Sequence, residues 1–375
     1  MASTTTNYGW VVPTSSDLLK NGATAISTVG SSVDTSLWNS GFGQAGKNKI
    51  INGDFSVNQR NFTSTTTSAD YNFDRWRTIY TGGTSTTTPQ VFTPGAAPVA
   101  GYEGKNYYRV AVTGQSAVGD SVRIQENIES VRTLAGQTAT ISFYAKASAG
   151  TPKIALLMNQ GFGSGGSPSA GVDTLGGTVT ISTSWARYSL TVAIPSISGK
   201  TLGTTDDGSL STRIYLSGGS SVTQAQSIGI QNATFDIWGV QIEYGSYATP
   251  FQTASGSSYQ GELAMCQRYY YRMVAGGLGT YYSNSSANNT TNFLFQFPLP
   301  VSMRIIANIL DYSNIRVEVP GVSTYSSGTF VINGNATTTN PSVSYTHGTA
   351  VFTANLPGNL SSSSASSYIG FSAEL

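Results

Sequence analysis

The chain has 375 residues, only 10% of them charged, and its 19 Lys and Arg against 18 Asp and Glu leave a formal charge of +1. Soluble domains usually carry about 25% charged residues; here Gly (42), Tyr (21), Ser and Thr stand in their place. That balance excludes an electrostatic nucleic-acid binder, and no run of about 18 apolar residues offers a membrane span.

One cysteine, Cys266, and one histidine, His347, exclude an internal disulfide and give no zinc constellation. Met1 to Thr6 has neither a charged nor an apolar signal region, so a secretory leader is not expected and folding in a cytosol is.

In chain order, residues 1–46 form the first segment. Tyr8-Gly9-Trp10-Val11-Val12-Pro13 reads as extended, since Pro13 restricts Val12. A helix is predicted from about Ser16 to Leu37, with Thr14 or Ser15 as cap. Leu19, Ile26, Val29 and Val33 fall on a heptad seam. β-branched residues at such positions favour trimers, although Gly22 and Gly30 interrupt the seam. A simple amphipathic helix lying on its own domain is the other reading of the same spacing.

Residues 47–252 form the second segment. Strands are predicted at Tyr107–Val112, Ser121–Ile128, Ala139–Lys146, Lys153–Met158, Thr178–Ile181, Ala186–Ile194, Thr212–Leu216 and Phe235–Ile242. Asp236 to Glu243 is read as alternating at period two. Many strands and no convincing helix imply a two-sheet sandwich, most simply a jelly roll.

Residues 253–375 form the third segment. Glu262–Arg272 reads as a short helix or a first strand, followed by strands near Thr291–Phe297, Arg304–Leu310, Ile315–Val319, Thr329–Ile332, Val343–Tyr345, Ala350–Ala354 and Tyr368–Glu374. The expected class is all-β with a short N-terminal helix: a jelly-roll β-sandwich followed by a second, smaller C-terminal β-sandwich.

Candidate binding residues lie in predicted loops of this last segment. Residues 276–292 carry Tyr281, Tyr282, Asn284, Asn288 and Asn289; loops 311–326 and 333–348 add Tyr312, Tyr325 and His347. Tyr, Ser, Gly and Asn loops suit sugar stacking and hydroxyl binding, and equally suit protein recognition. Inert solvated loops remain the plain alternative. No paired carboxylates stand out for glycoside hydrolysis, so no enzyme is expected.

Several stretches carry a resemblance. Tyr8 to Ser36 reads YGWVVPTSSDLLKNGATAISTVGSSVDTS. Five motifs follow in order: IINGDFSVNQR (Ile50 to Arg60), FDRWR (Phe73 to Arg77), ATISFYAKAS (Ala139 to Ser148), SWARYSLTVAIP (Ser184 to Pro195) and FDIWGVQIE (Phe235 to Glu243). CQRYY (Cys266 to Tyr270), FPLPVSMR (Phe297 to Arg304) and IGFSAEL (Ile369 to Leu375) complete the series. Together they resemble bacteriophage tail fibres and tail-associated receptor-binding proteins with a carbohydrate-binding-module-like jelly roll. The resemblance implies a homotrimeric virion protein, assembled in the host cytoplasm. Its N-terminus, through Tyr8, Trp10 and Pro13, would attach to a tail or baseplate protein. Its C-terminal domain would be the tip that meets a host-surface glycan or protein. Modules of this kind can hold a structural calcium near the first and last strands, for which Asp54 and Asp236 are the candidates; no metal at all is the alternative. Two other functions fit the same residues: a baseplate or decoration protein that binds only virion partners, and a secreted carbohydrate-binding module.

Overall fold

The computed structural model describes residues 3–5, 10–12, 14, 21–40, 46–99 and 102–375, with side chains from 36 to 40 left aside. Tyr8, Pro13 and Leu19 lie outside the described residues. Strands hold 41% of the residues and helices 8%, which settles the all-β class.

Near the N-terminus, β1 (Ser3–Thr4) and β2 (Val11–Val12) pair antiparallel. The pair is closed by Thr5 N donating to Trp10 O at 2.9 Å and Trp10 N donating to Thr5 Oγ1 at 3.0 Å. The helix α1 runs over Gly22–Ser40, past the predicted end at Leu37, and the predicted start at Ser16 lies outside the described residues. Its half-buried positions include Gly22, Ala25, Val29 and Val33, at helical spacing, whereas Ile26 is 69% exposed.

Ten strands follow: β3 (Trp76–Thr81), β4 (Thr84–Val91), β5 (Asn106–Thr113), β6 (Ser121–Glu129), β7 (Thr138–Ala147), β8 (Lys153–Gly161), β9 (Val172–Thr180), β10 (Ala186–Ala193), β11 (Ser209–Gly218) and β12 (Thr234–Tyr244). They form two five-stranded antiparallel sheets, ordered β10-β7-β12-β5-β4 and β3-β6-β11-β8-β9. Inward residues of both sheets make one core that includes Tyr108, Val110, Ile124, Ile141, Phe143, Leu156, Ile214, Ile237 and Ile242. The alternation that made these strands legible is this two-faced burial. Sequence reading missed β3 and β4. The latter, TSTTTPQV, is Thr-rich and contains Pro89; it survives as an edge strand, where a missing N–H costs no ladder bond.

The period-two reading of β12 needs correction. Its register against β7 shifts between Trp238 and Gln241, and Gly239 sits there at φ +63°, a conformation glycine adopts without strain. This bulge changes the parity, so Ile237 and Val240 both face the core. Trp238 shares the outer face with its partner Tyr144 and is buried beneath Phe92, Tyr102 and Phe251, at ring distances of 4.9–5.9 Å.

The helix α2 (Tyr259–Gln267) is capped by Ser258, whose Oγ accepts from Gly261 N at 3.1 Å. The rest of the chain comprises β13 (Tyr270–Val274), β14 (Tyr281–Ser286), β15 (Asn292–Gln296), β16 (Ile309–Ser313), β17 (Ile315–Val319), β18 (Ser323–Tyr325), β19 (Thr329–Ile332), β20 (Ser342–Thr346), β21 (Pro357–Ser362) and β22 (Tyr368–Ser372). They form small sheets ordered β13-β22-β16, β14-β21-β17-β18 and β15-β20-β19 around Phe293, Phe295, Val317, Val343, Leu360 and Phe371. Several expectations fail here. Residues 276–292 are not a loop, since β14 lies inside them; nor is 311–326, which holds the end of β16, β17 and β18, and 333–348 contains β20. Arg304 to Asn308 is not strand: Arg304 N donates to Arg268 O at 2.8 Å and its Nη1 to Asp206 O at 2.8 Å, which ties this segment to neighbouring loops. Ala350–Ala354 is also loop, because Val351 N and Phe352 N both donate to Thr290 O instead of to a strand partner.

The recurring motifs build the joint between the two β units. Asn52 Nδ2 donates to Val57 O at 2.9 Å and to Asp74 O at 3.0 Å, and Trp76 Nε1 donates to Asn52 O at 3.0 Å. Arg75 is fully buried, ion-paired with Glu374, 3.5 Å from Glu126, and lies 3.5 Å over the Tyr269 ring. Arg60 covers Tyr270 at 3.7 Å, and Tyr269 Oη donates to Glu129 at 2.7 Å. Those paired aromatics and charges explain the bulky run after α2.

Candidate functional site on the first sheet

Cross-strand pairs share a face. On β5, Tyr108, Val110 and Val112 turn inward, so Tyr107 and Arg109 turn outward. Register then aligns Arg109 with Asp236 on β12, and Asp236 with Lys146 on β7. The outcome is a cation–anion–cation row across three strands. Arg109 grips Asp236 with two hydrogen bonds, Nε to Oδ1 at 2.6 Å and Nη2 to Oδ2 at 2.8 Å. Lys146 Nζ lies 3.7 Å from Asp236 Oδ2. The bond to Asp236 is the main reason the Arg109 guanidinium sits above its ordinary pKa.

Aromatic planes stand beside this row. Tyr107 and Trp185 meet edge to face at 5.3 Å, and buried Phe92 backs both, at 4.8 and 5.7 Å. Lys146 Nζ is 5.2 Å from the Trp185 ring and Gln90 Oε1 accepts weakly from Arg109 at 3.4 Å. Tyr107, Arg109, Lys146 and Trp185 are all partly exposed. Burial, followed by the Asp236 charge, raises the Tyr107 phenol, so it stays a neutral donor. An open face therefore combines two aromatic rings, amide and cationic donors, and a carboxylate. That set can stack on the C–H face of a pyranose and bond its hydroxyls.

The residues chosen from sequence are distributed differently. Tyr325 and His347 do converge, at 5.4 Å, with Phe352 5.0 Å from Tyr325. His347 N donates to Thr291 O at 2.9 Å and Asn289 Oδ1 caps the adjoining turn, which brings Asn288 and Asn289 to the same end. Tyr312 belongs to β16 and packs on Phe330 at 5.3 Å. Tyr281, Tyr282 and Asn284 belong to β14, with Asn284 opposite Asn359. Trp10 closes the β1–β2 turn. Among the described residues no three His, Cys, Asp or Glu side chains converge to hold a metal. Asp236 is occupied by Arg109 and Lys146, and Asp54 bonds Ser56 Oγ at 2.9 Å and Tyr102 Oη at 2.8 Å. The two candidates for calcium thus serve separate networks. Sequence reading missed Tyr107, Arg109, Lys146 and Trp185, although outward alternation in YYRV and FYAK and the lone Trp of SWARYS were available signals.

The sequence matches no family model and no curated protein. Solved structures similar to part of the chain include the enzymatically active domain of bacteriophage CBA120 tailspike protein 4, at 14% identity and TM-score 0.30, over 53% of this chain and 22% of that one. The family 11 carbohydrate-binding module of a Clostridium thermocellum cellulosomal cellulase is similar at 12% identity and TM-score 0.29, over 50% of this chain and 98% of that one. A xylan-binding domain from Paenibacillus barcinonensis is similar at 14% identity and TM-score 0.27, over 54% of this chain and 98% of that one.

Proposed function

We propose that this chain is a non-catalytic glycan-binding protein of a bacteriophage tail, acting in host-surface recognition. The observation that carries the glycan reading is the Arg109–Asp236–Lys146 row beside the Tyr107–Trp185 pair. Sugar recognition needs a ring plane and directional polar groups within one glycan residue of each other, and this face supplies both. One carboxylate neutralised by two cations is ill suited to glycoside hydrolysis, which uses two carboxyl groups flanking the bond. The tail assignment rests on the motif series from Tyr8 to Leu375, and with it go virion localisation, attachment through the N-terminal segment and trimerisation along α1.

A glycan array on the full-length protein, followed by calorimetry with the best ligand, tests the binding face. Trp185→Ala is expected to weaken binding about tenfold, the scale of one aromatic contact. His347→Ala serves as the comparison, because His347 and Tyr325 give the C-terminal tip its own claim. Loss on His347→Ala with none on Trp185→Ala would overturn the sheet-face reading and favour the tip.

A further inference from the structure

The outward face of the second large sheet concentrates cations that the reading above leaves unused. Register puts Arg77 on β3, Gln125 on β6 and Arg213 on β11 in one row, with Ile79, Arg123 and Tyr215 in the next. Val122, Ile124 and Ile214, adjacent along these strands, point into the core. Arg77, Arg123 and Arg213 therefore emerge on one outer face, with Arg77 and Arg213 two strands, roughly 10 Å, apart.

Little answers their charge. Asp173 Oδ1 lies 3.8 Å from Arg213 Nη1 and already accepts from Asn159 Nδ2 at 2.7 Å. Among the described residues neither Arg77 nor Arg123 has a carboxylate within 4.0 Å. Arg123 Nε donates to Gln125 at 3.3 Å and Arg213 Nη2 to Asn159 Oδ1 at 2.9 Å, while Arg213 Nε is buried without an acceptor. Burial, then the like charges of Arg123 and Arg77, push the Arg213 guanidinium below its ordinary range. Three mutually repelling guanidiniums on a flat face are a poor arrangement unless an anion lies across them. The ring opposite Arg77 in register is Tyr71, 5.1 Å from its guanidinium carbon and bonded through Oη to Leu375 O at 2.6 Å, while Tyr215 is 3% exposed and packed beside Ala225 and Ile228. A single half-buried ring offers no succession of platforms for stacked bases, whereas sugar hydroxyls would meet the half-buried amide of Asn159.

We propose that Arg77, Arg123 and Arg213 form a second binding face, which takes an acidic polysaccharide with its carboxylates or sulfates lying along the sheet. Its ligand chemistry and its sheet are distinct from those of the Trp185 face, so either can fail alone.

Calorimetry on the full-length protein at low salt tests this with four probes: an oligogalacturonate, its methyl-esterified counterpart, inorganic sulfate and an oligothymidylate of matched charge. The oligogalacturonate is expected to bind and to weaken steeply with salt. Arg123→Gln/Arg213→Gln should weaken it at least about tenfold, and Trp185→Ala should leave it unchanged. Should the double variant melt early, Arg77→Gln carries the same test. The proposal is overturned by no binding at low salt, by equal binding of the methyl ester, or by indifference to the arginine substitutions. Equally tight oligothymidylate would reassign the face to nucleic acid, and equally tight sulfate would reduce it to an isolated anion site.

Discussion

The two β units present their polar surfaces by opposite means. In the first, Arg109, Asp236 and Lys146 are spaced by the hydrogen-bond ladder itself, so the row is fixed wherever the register is. In the second, Tyr325, His347 and Phe352 come from separate segments, and the 347–352 loop is pinned to 290–291 by three backbone bonds. A ladder-built face is flat and preset, which suits an extended polymer. A cluster drawn from the end of β18 and the 347–352 loop adapts more readily and tolerates substitution. The contrast also corrects a tempting experiment: deleting residues 276–292 would remove β14 from its sheet rather than trim a loop.

The joint decides whether the units behave as two bodies. Arg75→Ala should have the largest effect. It would strip the Glu374 carboxylate of its buried partner, at a cost of about 3–5 kcal/mol. Denaturant titration followed by tryptophan fluorescence and by far-ultraviolet dichroism is expected to split into two transitions. Coincident, unshifted curves would show that the units are joined elsewhere.

A smaller effect concerns pH. Burial pushes the Glu126 carboxyl up to about 8, against the pull of Arg75 and with a push from Glu374. Arg75 pairs with Glu374, and Glu126 keeps its proton. The folded state therefore binds this proton more tightly than the unfolded chain does. Its contribution to stability is full below the ordinary value of 4.5 and is lost as pH rises through about 8. Glu126→Gln should flatten the fall in melting temperature across that window. An unchanged slope in the variant would assign the titration to another group.

The smallest change in stability is expected at Ile26, which is 69% exposed. Ile26→Asp should move folding stability by no more than about 0.5 kcal/mol. It should nevertheless convert a trimer to monomers in light scattering if α1 carries the seam. A trimer that survives the substitution would shift assembly to the β units, and a monomeric parent protein would overturn trimerisation.

Most of the first unit was legible in the chain. Tyr107 to Val112 alternates because one face is core and the other is partly exposed, and Ala139 to Lys146 alternates because its second face, though covered at Thr140 and Ser142, carries polar side chains; both patterns are local. β4 was not legible, since Thr and Pro give no two-faced signal and an edge strand is held by its neighbour β5. The second unit was read less well. Its strands are short, and Ser-rich β14 and β21 gain their form by pairing with each other across 281–361 and, for β21, with β17.

By itself, then, the sequence determined the all-β class, the alternating strands of the first core and the turn-rich character of the rest. These follow from local preference and from which side chains leave water. Tertiary structure alone decided that Asp236 answers Arg109 and Lys146, that Gly239 reverses the parity of β12, and that Arg75 is sealed between Glu126 and Glu374. Each depends on partners far apart along the chain, Arg109 with Asp236 across 127 residues and Arg75 with Glu374 across 299. Charge pairing at such separations is set by strand register and domain packing, neither of which leaves a local trace.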